Sequence, residues 1–135
     1  MAIFKGAGVA IVTPMHEDGK VNYEKLEEIL ERLKRYEPLQ YIIGEVSFAS
    51  LCLEVTPDVL IPRPETAELI DWIAADYSRG GVRILDIGTG SGCIPIALAN
   101  RLPEVQVTSW DVSEKALQVA ARNADKNKAR VLLER

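Results

Sequence analysis

The stretch from Arg83 to Cys93, which reads R-I-L-D-I-G-T-G-S-G-C, constrains the fold of this chain more than any other. Its first part is apolar and typical of a buried strand, the glycines Gly88, Gly90 and Gly92 indicate a tight turn, and an apolar helix pattern follows directly. Glycine permits unusual backbone angles in such a turn and lets a ligand approach the main chain closely. Strand, turn and helix together predict the first half of a nucleotide-binding βαβ unit. We expect free N–H groups at the helix start, from Ser91 onward.

The composition limits the class of protein. The chain has 135 residues, enough for one domain with a hydrophobic core, and 47% of them are apolar. The net charge of −4 argues against a nucleic-acid surface, and no apolar run reaches the roughly 20 residues that span a bilayer. The N-terminus lacks a signal-peptide pattern, and Cys52 and Cys93 show no metal-ligand spacing. We therefore expect a cytoplasmic protein with free thiols, without a metal site and without a nucleic-acid or membrane partner. One basic cluster lacks the interleaved aromatic residues typical of an RNA site, so we expect it to be a solvated surface: Arg122, Lys126, Lys128 and Arg130.

The N-terminal part predicts a strand followed by a helix. Gly8 to Thr13 is an apolar, β-branched run typical of a buried strand, and Asn22 can cap an amphipathic helix that Pro38 ends. Residues 1–30, which include M-A-I-F-K-G-A-G-V-A-I-V-T-P, resemble the opening of dihydrodipicolinate synthase, a TIM-barrel aldolase. The Schiff-base lysine and hydroxyl relay of that family belong to later barrel strands, so the resemblance implies a βα unit and no aldolase chemistry.

Between this segment and the glycine turn, the pattern predicts a hairpin and a helix. Residues 40–48 and 51–56 are each typical of a strand, although the intervening Ala49-Ser50 is not a favoured tight turn. Pro64 and Glu65 suit the start of a helix, and residues 78–81 (S-R-G-G) predict a short flexible linker after it. Beyond the turn, residues 105–110 and 131–133 predict two further strands, with a helix capped by Ser113 between them. This order favours an α/β fold with a parallel sheet.

Three carboxylates are candidates for ligand binding. Asp86 lies at the C-terminal end of its strand, where ligands gather in open α/β sheets, and could alternatively bond the N–H groups of the turn. Asp111 follows Gly92 by 19 positions and matches an acid that accepts hydrogen bonds from a ribose, the alternative being a solvated loop residue. Glu65 could face the same crevice or act as a helix cap. The G-x-G-x-G spacing differs from the dinucleotide fingerprint, and no Lys-Ser or Lys-Thr follows it.

Three longer motifs narrow the interpretation: E-P-L-Q-Y-I-I-G-E at 37–45, V-T-P-D-V-L-I-P-R-P-E-T at 55–66 and I-L-D-I-G-T-G-S-G-C-I at 84–94. In order and interval they resemble the HemK-like release-factor glutamine methyltransferases, over roughly residues 31 to 135. That family transfers a methyl group from S-adenosylmethionine to a glutamine side-chain amide of peptide-chain release factors.

The resemblance implies S-adenosylmethionine as the cofactor and a release factor as the partner. It implies that Asp86 lies beside the amino group of the cofactor and that Asp111 holds its ribose. The glycine turn would line the methionine and ribose part of the cofactor, and two residues at the start of the helix that precedes the turn would line the mouth of the site. It implies no covalent nucleophile, hence no catalytic residue in that sense, because these enzymes align the amide nitrogen with the sulfonium methyl. The turn residues are Gly88, Thr89, Gly90 and Gly92, and the substrate-binding residues are Pro64 and Thr66.

The chain also departs from that family. The substrate-gripping Asn-Pro-Pro-Tyr motif does not occur, and Arg135 follows the third strand of a normally seven-stranded sheet. We therefore expect a partial, truncated Rossmann-like class I methyltransferase with a parallel sheet, a β-hairpin and an added N-terminal βα unit. The expected divisions are an aldolase-like segment (1–36), a hairpin with a connecting helix (37–81) and the first half of a cofactor domain (82–135).

Two functional hypotheses follow. The first is a cofactor-binding fragment that is inactive alone, and the second is a non-enzymatic chimera of fragments from two enzymes that binds no ligand. Because the strand before the glycine turn is central in the family, its edge would be bare, and an exposed apolar edge invites pairing. We expect either the strand Gly8–Thr13 or a second copy of the chain, forming a homodimer, to cover that edge.

Overall fold

The computed structural model describes residues 13–135, and the chain divides into two compact units, Met1–Pro38 and Leu39–Arg135. Apart from Thr13, the predicted strand Gly8–Thr13 lies outside the described residues, so its position stays a prediction. In the first unit, helix α1 spans Tyr23–Lys34, and the Asn22 side chain caps it by accepting a hydrogen bond from the N–H of Lys25. The predicted cap of this helix is therefore confirmed.

The second unit contains a hairpin, a parallel sheet and four helices. Its elements in chain order are α2 (Leu39–Ile43), β1 (Glu45–Phe48), β2 (Leu51–Glu54), α3 (Thr66–Asp76), β3 (Arg83–Ile87), α4 (Cys93–Arg101), β4 (Gln106–Trp110), α5 (Glu114–Lys126) and β5 (Val131–Glu134). The predicted segments 37–81 and 82–135 thus fall almost entirely within one compact unit.

The predicted strand over residues 40–48 is wrong in its first half, which forms α2. The β-branched pair Ile42-Ile43 favours a strand locally, but the helical turn allows the Tyr41 hydroxyl to donate to the carbonyl oxygen of Val59 at 2.7 Å. Gly44 ends the helix with a positive φ of 85°, and its N–H donates to the carbonyl oxygen of Gln40. Tertiary contacts therefore override the local propensity.

Strands β3, β4 and β5 form a parallel sheet in that order. Because right-handed crossovers connect consecutive neighbours, α4 and α5 lie on the same face of the sheet. Four large side chains form the fully buried centre of the core: Leu53, Ile70, Ile96 and Leu98. The opposite face carries side chains that remain exposed: Leu85, Ile87, Trp110 and Leu132. The predicted α/β class, with a parallel sheet and a hairpin, is confirmed.

The segment before β3 contacts the end of α4. A Cβ added to Gly80 would clash with the carbonyl oxygen of Pro103, and the N–H of Gly81 donates to that same oxygen at 3.2 Å. The two glycines suit this position because the chain passes close to Pro103 with left-handed backbone angles of 69°. The predicted flexibility of the linker stays a prediction.

The hairpin turn between β1 and β2 has positive φ at both of its residues, 46° at Ala49 and 69° at Ser50. These angles are typical of the type I′ turn, which suits the twist of a two-residue hairpin but favours Asn and Gly. Ala49 and Ser50 therefore adopt backbone angles that are strained for residues with a side chain.

Within residues 13–135, no helix has the length and apolar character needed to cross a membrane. The same part of the chain holds no group of three or more His, Cys, Asp and Glu side chains placed to bind a metal ion.

Candidate functional site

The glycine turn is fastened to the tip of the neighbouring strand. The N–H groups of Gly88 and Thr89 both donate to the carbonyl oxygen of Trp110, at 2.8 and 3.1 Å. Gly88 and Gly90 have positive φ angles of 81° and 54°, and a Cβ on either would meet nothing within 4 Å. Their main chain therefore borders open space, as a close approach by a ligand requires.

Gly92 has a different role from the other two glycines. It is buried, and a Cβ there would lie 2.9 Å from Cδ1 of Ile96 and 3.2 Å from Cβ of Ala120. Helix α4 begins at Cys93, with Gly92 as its left-handed N-cap at φ 79°, two residues later than the predicted start at Ser91. Gly92 thus lets α5 pack against the helix start, and the structure does not place it on the open side of the turn.

Asp111 connects the glycine turn to the start of α5. Its Oδ2 accepts a hydrogen bond from the N–H of Gly90, and its Oδ1 accepts one from the N–H of Ser113, both at 2.9 Å. Each carboxylate oxygen keeps a second lone pair for a ligand donor. The role proposed from sequence as the alternative for Asp86, bonding an N–H group of the turn, is therefore carried out by Asp111.

Asp86 lies on the helix-covered face, level with Ser109 on β4. Its Oδ2 is buried without a hydrogen-bond partner among the described residues, and burial raises the pKa of its carboxyl above the ordinary value. The hydroxyls of Thr89 and Ser109 lower this pKa in part, whereas the charge of Asp111 raises it. Among residues 13–135, the buried hydroxyl oxygens of Thr89, Ser91 and Ser109 likewise make no hydrogen bond of good geometry, although Thr89 and Ser109 lie close enough to Asp86 to affect its pKa. Buried polar atoms normally have partners, and an ionised carboxylate can only accept, so Asp86 is the member of this cluster that suits a donor from a ligand.

An open cavity of about 380 Å³ lies at the carboxyl ends of the strands beside the turn. Its volume falls within the roughly 300–1,000 Å³ range of small-molecule sites. Trp110 forms part of its wall and is fixed by an Nε1–H donation to Glu134 at 2.9 Å. The lining residues are Ile87, Gly88, Trp110, Asp111, Val112, Glu134 and Arg135. The sequence analysis did not indicate a site role for four of these residues, although all of them lie at or within two positions of the C-terminal end of a predicted strand: Ile87, Val112, Glu134 and Arg135.

The predicted substrate-binding residues lie at the start of α3. Pro64 is exposed and Thr66 half-buried, in turns closed by hydrogen bonds from Thr66 N to Arg63 O and from Ala67 N to Pro64 O. Neither residue is among those that line the cavity beside the turn. Glu65 is also absent from that lining, and its side chain makes no capping hydrogen bond to α3.

Two asparagines that the sequence did not single out, Asn123 on α5 and Asn127 at its C-cap, bind the hairpin to this helix. Asn123 bonds the main chain of Glu54 and Ser91, and Asn127 bonds the main chain of Cys52. Two members of the basic cluster reinforce this contact through ion pairs, Arg122 with Glu54 and Lys126 with Glu45. Both side chains remain exposed, as predicted for a solvated helix face, and they also form ion pairs that the sequence did not indicate.

Comparison with known proteins places the chain among methyltransferases. It is 49% identical over 111 residues to the release factor glutamine methyltransferase of Bacteroides thetaiotaomicron, covering 82% of this chain and 40% of that protein. Its identity to the release factor glutamine methyltransferase of Flavobacterium psychrophilum is 50% over 102 residues, covering 73% and 36%. The chain thus spans about two fifths of the length of the curated relatives it matches. The motif resemblance to these enzymes is confirmed, whereas the resemblance of residues 1–30 to dihydrodipicolinate synthase stays a prediction.

Solved structures show the same fold. The N-terminal domain of human METTL16 in complex with SAH aligns with a TM-score of 0.52 at 18% identity, covering 90% of this chain and 48% of that one. The tRNA (uracil-54, C5)-methyltransferase of Pyrococcus abyssi, in complex with S-adenosyl-L-homocysteine, aligns with a TM-score of 0.51 at 22% identity, covering 62% and 21%. At these identities the likeness concerns the fold alone. Residues 66–134, just over half of the sequence, match the model of the methyltransferase small domain, and the chain belongs to that family.

Proposed function

We propose that this chain binds S-adenosylmethionine beside the Gly88–Gly92 turn, as the cofactor-binding part of a protein-glutamine N5-methyltransferase that acts on peptide-chain release factors. The observation that carries the proposal is the Asp111 carboxylate, held between the N–H groups of Gly90 and Ser113 at the rim of the cavity. The similarity to release factor glutamine methyltransferases supports the substrate class.

The donor set suits this cofactor. Asp86 offers a buried acceptor, Oδ2, that has no hydrogen-bond partner within residues 13–135, and the ammonium group of an amino-acid moiety is a matching donor. The free lone pairs of Asp111 suit the hydroxyls of a ribose, and the side chains of Trp110 and Val112 offer an apolar wall for a base. Pro64 and Thr66 remain our proposed substrate-side residues.

The cofactor would supply a methyl group on a sulfonium sulfur, and the residues of this chain would bind and orient it. Asp111 would keep the main chain of the turn in one conformation, and Trp110, fixed by Glu134, would keep water from one side of the cavity. Such transfer depends on alignment of the reacting groups, so no side chain of this chain needs to act as a nucleophile. Because the sequence contains no Asn-Pro-Pro-Tyr motif, we propose that it binds the cofactor without transferring methyl groups by itself.

Calorimetric titration with S-adenosylhomocysteine tests the proposal. The unchanged chain should give saturable heat, and Asp111→Ala should weaken the affinity at least tenfold, which is about 1.4 kcal/mol. Asp111→Asn, which keeps a neutral acceptor, should lie between the two. Asp125→Ala, which removes an exposed carboxylate on α5, is the matched control and should leave the affinity unchanged. A folded chain that gives no saturable heat would refute the proposal.

The alternative is a chimera of two enzyme fragments that binds no ligand. One observation favours it: the two compact units meet at Pro38, close to the point at which the sequence resemblance changes. Absence of heat in the titration, together with cooperative unfolding of the chain, would support this alternative.

We propose that a second copy of the chain pairs with the edge of β3 that faces away from β4, which would form a homodimer. Within residues 13–135, β3 pairs with β4 on one side and with no strand on the other. Unpaired strand edges are templates for another strand, and a second copy would satisfy them.

A further inference from the structure

We propose that Asn123 is a positioning residue that holds the glycine turn, Gly88–Gly92, in its binding conformation. Its carboxamide fixes the peptide between Ser91 and Gly92 and connects this peptide to the hairpin. This inference rests on the proposed cofactor site and deepens it. Asn123 is not among the residues that line the cavity, so it would act through the main chain of the turn.

The hydrogen bonds of Asn123 are specific and buried. The side chain is fully buried, and its Nδ2 donates to the carbonyl oxygens of Ser91 and Glu54, each at 2.9 Å. Its Oδ1 accepts from the N–H of Glu54 at 2.6 Å. Both amide hydrogens and the amide oxygen therefore have partners, and reversing the amide would place like groups together at Glu54. A buried group of this kind is costly to leave unpaired, which locks it in one orientation.

The peptide that Asn123 holds is one that the sequence would otherwise leave mobile. Ser91 lies between Gly90 and Gly92, which have positive φ angles of 54° and 79° and no side chains to restrict rotation. On its other side, this peptide is bonded through the donation from Gly92 N–H to the carbonyl oxygen of Thr89 at 2.9 Å. The bond from Asn123 adds a contact from outside the turn. It would preorganise the backbone that meets the ligand and so raise affinity.

Asn127 provides a natural control, because it makes the same kind of contact with the hairpin without touching the turn. Its Oδ1 accepts from the N–H of Cys52 at 3.3 Å and its Nδ2 donates to the carbonyl oxygen of Cys52 at 3.0 Å. Four residues of helix rise by about 6 Å, close to the roughly 6.7 Å spanned by two residues of strand. The two asparagines therefore meet Cys52 and Glu54 in register, and only Asn123 continues to Ser91.

The test compares Asn123→Ala with Asn127→Ala in the full chain. Both variants should lower the urea concentration at the midpoint of unfolding, because both lose the hairpin contacts. Only Asn123→Ala should weaken the affinity for S-adenosylhomocysteine in calorimetry, by about tenfold, whereas Asn127→Ala should change it less than twofold. Amide hydrogen exchange should show faster exchange of the Gly92 N–H in Asn123→Ala and an unchanged rate in Asn127→Ala.

Asn123→Leu provides a second variant if the alanine variant does not fold, because it fills a similar volume without adding a charge. It removes all three hydrogen bonds, so it too should weaken the affinity and release the Gly92 N–H. Equal affinities for the two alanine variants, or unchanged exchange at Gly92, would overturn the positioning role. If the unchanged chain binds no S-adenosylhomocysteine, the proposed function fails, yet the exchange rates still decide whether Asn123 holds the turn.

Discussion

Gly88 and Gly92 have almost the same backbone angle, φ 81° and 79°, in different surroundings. Alanine at either position would occupy the left-handed region at a cost of roughly 1–2 kcal/mol. Only at Gly92 would the new methyl group also meet Ile96 and Ala120, at 2.9 and 3.2 Å. Overpacking of this kind adds roughly 1–3 kcal/mol. We therefore predict that Gly92→Ala lowers the free energy of unfolding more than Gly88→Ala does, as measured by urea denaturation.

The comparison isolates packing from backbone strain, since the strain is shared by both variants. Equal losses of stability would contradict the packing role of Gly92 and would show that α5 moves away without cost.

The raised pKa of Asp86 predicts how the stability of the chain depends on pH. Its folded-state pKa is raised, chiefly by burial, so the folded chain holds this proton more tightly than the unfolded chain does. Its contribution is most favourable below the ordinary Asp value of 3.8 and is lost as the pH rises through the elevated pKa. Asp86→Asn should remove this loss. The free energy of unfolding of the variant should therefore increase relative to that of the unchanged chain as the pH rises.

Urea denaturation at a series of pH values, for the unchanged chain and for Asp86→Asn, measures the effect. Asp76→Asn is the control, because this exposed carboxylate is solvated in both states. An equal pH dependence for all three proteins would contradict the assignment to Asp86.

Sequence spacing predicted part of the site and could not predict the rest. Asp111 and the glycines occur in a local pattern that indicated one common site, and the structure brings Asp111 to Gly90. The hydrogen bond between them was not predicted, because the sequence offered the bonding of the turn's N–H groups as an alternative for Asp86. Asn123 lies in an ordinary amphipathic helix, and its partners are 32 and 69 positions away in sequence. Only the packing of α5 against both segments reveals its contacts, so no local motif could indicate them.

At the scale of the element, the turn between β1 and β2 carries strain that glycine would relieve. Ser50 has a φ of 69°, so Ser50→Gly should raise the free energy of unfolding by roughly 0.5–1 kcal/mol. Ser47→Gly, at an exposed position within β1, is the matched control and should lower it, because glycine weakens a strand. Chemical denaturation measures both changes. A loss of stability in Ser50→Gly would contradict a strained turn.

Element boundaries were predictable where a breaker residue coincides with the end of an element. Helix α4 ends at Arg101, just before Pro103, and β4 ends at Trp110 as its alternation indicates. At α2 the β-branched residues Ile42 and Ile43 favour a strand, whereas the start and stop signals around them favour a short helix. Pro38 precedes that helix and Gly44 follows it, so the sequence did contain the information.

At the scale of the whole molecule, the sheet has helices on one face and exposed apolar side chains on the other. Leu85 is 49% exposed on β3, which has no second neighbouring strand among residues 13–135. We predict concentration-dependent self-association in sedimentation velocity. A lysine at an edge position disfavours pairing, so Leu85→Lys should weaken the association at least tenfold, about 1.4 kcal/mol.

Leu60→Lys is the control for this prediction, since Leu60 is 73% exposed and lies in a loop away from the sheet. A chain that sediments as a monomer at every concentration would contradict the proposed homodimer. If Leu85→Lys and Leu60→Lys weaken the self-association equally, the association depends on exposed apolar side chains in general and not on the edge of β3.

The amides of Asn123 and Asn127 also determine how β2 behaves towards other polypeptides. A foreign strand approaching its outer side would find the main-chain groups of Cys52 and Glu54 already engaged by helix α5. To dock there it would first have to detach a helix, together with two ion pairs that cross the same junction. This side of the hairpin is consequently shielded from domain swapping and fibril growth by side chains that imitate a neighbouring strand.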